Sequence, residues 1–83
     1  MDHRIPFGDP IAIRTGPENT LRTVKSVQGA SEVLTDWPHA RRGPVYQETV
    51  AAIEQALGGN LDQNAARDAF HGFARHAGVL VGD

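Results

Sequence analysis

The sequence predicts an α+β fold: an N-terminal antiparallel β-hairpin packed on three α-helices, with Val79–Val81 able to add a short C-terminal strand. Three observations predict it. Apolar residues alternate with period two near the N-terminus, they recur at helical spacing in three later segments, and Pro or Gly stands at the junctions between segments. Strands and helices are segregated along the chain, which is the α+β order rather than the βαβ alternation of a parallel sheet.

Residues 1–10 place Pro6, Gly8 and Pro10 too close together for a helix or a central strand, so they read as an extended lead-in to a single domain over 11–83. Ile5 and Phe7 can still tuck against the core. Ile11 and Ile13 alternate with Ala12 and Arg14, the mark of a half-buried strand, and Thr20–Val24 resumes the β-branched alternation after a five-residue loop, Thr15–Asn19. Two strands alone are marginal in water, so helices must cover one face.

Ser26 is suited to cap a first helix whose Val27, Ala30, Leu34 and Trp37 form one stripe, and Pro38 prevents its continuation. Pro44 opens a second helix with Tyr46, Val50, Ile53 and Leu57 on one face, stopped by Gly58-Gly59. Asp62 caps a third, whose apolar stripe is Ala66, Ala69, Phe70, Phe73 and Ala77 and whose end is Gly78, with Arg75 and His76 near the negative end of the dipole.

An 83-residue chain without Cys can use neither disulfides nor thiolate zinc, so its small core must be held by packing or by a second subunit. Ten acidic and eight basic side chains give a net charge of −2, which argues against general nucleic-acid binding by phosphate neutralisation. The charge is uneven: residues 1–42 carry six basic and five acidic side chains, and residues 43–83 carry two and five. Such asymmetry suits a contact surface. The opening residues lack an apolar leader and no run approaches the roughly 20 apolar residues of a membrane span, so a cytoplasmic protein is expected.

Several residues together carry a family likeness. Arg22-Thr23-Val24 leading to Ser26 and Ala30, Trp37-Pro38 with Gly43 and Tyr46, Ala56-Leu57-Gly58, and Ala66-Arg67-Asp68-Ala69-Phe70 with Ala77 resemble short alphaproteobacterial proteins of domain-of-unknown-function family 982. The likeness runs from Ile11 to Ala77, and Gly29 departs from it. It implies the architecture and brings no activity, cofactor or site residue.

Candidate sites are few. Trp37 and Tyr46 flank the joint between the first two helices, where they can line a groove or, as preferred, fill the core. His39, Arg41 and Arg42 precede a helix N-terminus and could hold an anion, against which Pro44 removes one amide donor. Arg67, His71 and Arg75 recur every four residues, a cationic stripe that could meet a partner or simply be solvated. Asp68 and His71 stand three apart without a nearby nucleophile. His71 and His76 diverge by about 140° around a helix, and His3 and His39 have no local ligand partners.

No catalytic, cofactor or metal constellation emerges. The expected function is therefore a non-enzymatic interaction module that self-associates or meets an unidentified protein partner. The alternative is a domain responding to a small ligand or anion through the His39–Arg42 loop.

Overall fold

The computed structural model describes residues 5–81; the expected roles of His3 and of residues 1–4 of the lead-in lie outside them. Strand β1 (Pro6–Thr15) and strand β2 (Thr20–Ser26) form an antiparallel pair, followed by helices α1 (Val27–Thr35), α2 (Pro44–Leu57) and α3 (Gln63–Ala77). The fold is the α+β arrangement expected from the sequence.

The lead-in is a correction. Strand β1 begins at Pro6, but its register breaks between Pro6, opposite Ser26, and Ile11, opposite Val24. The Phe7–Pro10 stretch therefore bulges off the ladder, which is where Gly and Pro are tolerated in an edge strand. Arg67 on α3 fastens this bulge, its Nε donating to the Asp9 carbonyl at 2.8 Å. The hairpin loop is one residue shorter than expected, because Thr15 pairs with Thr20. Gly16 (φ 81°) and Asn19 (φ 53°) supply the left-handed backbone that this four-residue turn uses.

Ser26 caps α1 by accepting from the Gly29 amide at 3.0 Å. The helix stops at Thr35, so Trp37 lies just beyond it and not in its last turn, with the Trp37 amide donating to the Leu34 carbonyl at 3.2 Å. The buried face of α2 is Tyr46, Thr49, Ile53 and Ala56, rotated from the expected face, and Leu57 is 41% exposed. Thr49 can be buried because its hydroxyl donates to the Val45 carbonyl one turn back, at 2.8 Å. On α3 the buried residues are Ala66, Phe70, Phe73 and Ala74.

Gly78 takes the left-handed conformation (φ 75°) that ends α3, and the chain then turns along β1. The expected third strand reduces to one bridge, Ile13 to Leu80, framed by Arg14 N–H to Val79 O (2.8 Å) and Val81 N–H to Ala12 O (3.0 Å). The core between sheet and helices joins Phe7, Ile11, Ile13 and Val24 to Val27, Leu34, Ile53 and Phe70.

Candidate functional site

The joint between α1 and α2 is sealed. Trp37 is 6% exposed and Tyr46 is 7% exposed, and both meet Phe73 edge-on, at ring-centroid distances of 4.9 Å and 6.0 Å. The Tyr46 hydroxyl donates to the Leu34 carbonyl at 2.7 Å. These rings are core, as the sequence reading preferred, and that geometry explains why both aromatics stand beside prolines: Pro38 and Pro44 stop and restart helices around them.

The loop that follows divides the trio His39, Arg41 and Arg42. His39–Arg41 form a single 3₁₀ turn, with His39 exposed. Arg42 reaches back across the joint. Its Nε donates to the Trp37 carbonyl at 3.1 Å and one terminal nitrogen donates to the Thr35 carbonyl at 3.0 Å, while the guanidinium lies 5.0 Å from the Tyr46 ring centroid. Helix α1 has no basic residue in its own last turn, so Arg42 brings the cation that its carbonyl end attracts. Arg42 is thereby committed to the fold, bracing the end of α1 against the first turn of α2.

Arg41 borders two hollows, one of about 260 Å³ at the start of α2 with Gly43, Pro44, Val45 and His76, and a larger one on the hairpin side. It lies 5.7 Å from the Trp37 ring centroid, and the larger hollow is a cleft of about 650 Å³ between the hairpin turn and the end of α1. Buried Val33 and Trp37 line it together with Pro38 and Val79, and so do three arginines: Arg22 on the helix side of the hairpin, Arg41 in the 3₁₀ turn, and Arg14, which borders it from a strand position opposite the outward-facing Leu21. Asp36 is the one acidic residue in the lining. Arg22 also pairs with Glu32 at 3.6 Å, an exposed contact of little worth. Among the described residues neither Arg14 nor Arg41 has a carboxylate partner; Arg14 makes only a long bond to the Asn19 carbonyl at 3.5 Å.

The cationic stripe on α3 is likewise divided. Arg67 is held by the Asp9 carbonyl and lies 3.6 Å from Asp68, His71 is half-buried, and Arg75 is exposed. Asp68 thus faces Arg67, and no hydrogen bond links it to His71. Among the described residues no three His, Asp or Glu side chains converge closely enough to hold a metal ion.

Arg14 and Arg22 are the residues that sequence reasoning missed. They read as polar positions of a strand, and they border the same cleft as Arg41 only because the hairpin folds its turn against the far end of α1. Local spacing carries no signal for such a meeting. The one available hint was the positive excess of residues 1–42.

A model for the protein of unknown function DUF982 matches residues 9–81. The chain belongs to this family. No curated protein and no solved structure matches it significantly. No helix among the described residues of this DUF982 protein is long and apolar enough to cross a membrane.

Proposed function

We propose that this DUF982 protein is a small non-enzymatic binding module that receives the acidic end of a ligand in the cleft beside Trp37. One observation carries the reading: three arginines and a single aspartate line a partly apolar cleft of binding-site size. Guanidinium groups suit carboxylate and phosphate through paired N–H donors, and the apolar part of the lining suits a hydrocarbon or aromatic body behind that group. A free metabolite and an acidic side chain of a partner protein present the same chemistry. The anion-responsive role expected of His39, Arg41 and Arg42 thus shifts to Arg14, Arg22 and Arg41, with Arg42 as scaffold.

Trp37 is the only tryptophan and lines the cleft, so its fluorescence is the natural probe. Titration with benzoate is expected to give a saturable change. Arg14→Ala or Arg41→Ala weakens it about tenfold, the equivalent of one charge-assisted contact of roughly 1.4 kcal/mol. Arg75→Ala, on α3 and outside the cleft lining, leaves it unchanged. A response that never saturates, or that falls equally in all three variants, refutes the proposal.

A further inference from the structure

The two edges of the hairpin are treated differently. On β1, Arg14 N–H and Ala12 C=O point away from β2 and bond to the Val79–Val81 segment. In an antiparallel ladder, residues whose backbone groups point outward alternate with residues that bond inward. Ala12 faces Thr23 and Arg14 faces Leu21, so Leu21 and Thr23, and by the same alternation Lys25, aim their N–H and C=O groups at the opposite edge. Among the described residues nothing bonds to that edge. Leu21, on its outer face, is 56% exposed and is the most exposed large apolar side chain among the described residues.

From this we infer that β2 is an interface for a second copy of this chain, joining two hairpins edge to edge as one four-stranded sheet. This inference is carried by the strand edge and shares only Arg22 with the proposed ligand cleft. The register supports the choice of partner. With a two-fold axis at Thr23, all of Thr20–Ser26 is paired: Thr23 meets Thr23, Leu21 meets Lys25, and Arg22 meets Val24, so the outward backbone groups bond in three pairs, about six hydrogen bonds. No like charges oppose. Axes at Arg22 or Lys25 would set like charges directly opposite and shorten the overlap.

Space and charge agree with this register. A groove of about 440 Å³ runs beside β2 against the first turns of α1, lined by Arg22, Val24, Ser26, Gly29 and Glu32. Val24 and Arg22 point to the helix side of the sheet, so the partner's Arg22 would lie over the groove whose Glu32 already pairs with this chain's own Arg22 at 3.6 Å. An isolated edge with three outward residues is a hazard for uncontrolled pairing, and a closed two-fold pairing removes it.

The test is sedimentation equilibrium of the full chain over a dilution series from about 1 to 500 μM. The expected result is a rise from one chain to two with concentration. Thr23→Pro is expected to remain a single chain with native circular dichroism, because it removes an outward N–H and leaves the inner ladder intact. Thr23→Cys covers the case in which proline disturbs the strand. The chain has no other cysteine, and opposed residues at the axis lie about 5.5 Å apart, within disulfide range, so oxidation should cross-link this variant. Lys25→Cys should not cross-link, since its two copies stand about 14 Å apart in this register. A single chain at every concentration, a dimer that survives Thr23→Pro, or equal cross-linking of the two cysteine variants overturns the inference.

Discussion

Replacing Arg42 by Ala tests whether that side chain is scaffold or ligand contact. The half-buried bond to the Trp37 carbonyl is worth about 1 kcal/mol and the exposed bond to the Thr35 carbonyl about half of that. The guanidinium near the Tyr46 ring adds roughly 0.5 kcal/mol. Together Arg42→Ala should cost about 2 kcal/mol, which in a domain of this size lowers Tm by about 8 to 16 °C. Lysine keeps the charge but cannot reach both carbonyls with one planar fork, so Arg42→Lys should recover less than half of the loss. Arg41→Ala is the control: it removes only the exposed contact with Trp37 and should lower Tm by less than about 4 °C. Thermal and urea unfolding, followed by circular dichroism and by Trp37 fluorescence, measure all three. Equal stabilities for Arg42→Ala and Arg41→Ala would falsify the assignment of Arg42 to the joint.

Other substitutions probe the core and the caps. Trp37→Ala should cost about 3 to 5 kcal/mol and leave little cooperative unfolding, as the ring is 6% exposed and stacked edge-on against Phe73; an unchanged Tm would place it outside the core. Tyr46→Phe should cost about 1 to 2 kcal/mol by removing the buried donor to Leu34, read from urea midpoints at constant slope. Gly78→Ala should lose about 1 kcal/mol despite open space around it, because only the left-handed backbone is at stake; a neutral result would contradict the observed φ of 75°. Ser26→Ala should cost about 1 kcal/mol through the freed Gly29 amide, with helix content by circular dichroism as a second readout.

The helices were legible because their caps are local chemistry. Ser26, Pro44, Asp62 and Gly78 each signal an end with one side chain or one backbone conformation, and each stands at the end it announced. The faces were read less well. Leu57 fitted the helical stripe of α2, yet packing turned Thr49 inward, a choice made by the Tyr46 hydrogen bond and the neighbouring helices rather than by periodicity. The bulge at Phe7–Pro10 was hidden because closely spaced prolines suppress the alternation that marks a strand, while the clamp on it, Arg67, is 58 residues away. The cleft was the least visible feature. His39, Arg41 and Arg42 are neighbours in sequence but point to different tasks, whereas Arg14, Arg22 and Arg41 border one cleft only through the tertiary fold.

Amide chemical shifts recorded while benzoate is titrated test the ligand site most directly. Saturable shifts gathered at Arg14–Arg22, Asp36, Trp37 and Arg41, with Gly43, Val45 and Tyr46 undisturbed, are the pattern expected of the cleft. Shifts centred on Gly43–Tyr46, or none at millimolar benzoate, would contradict it.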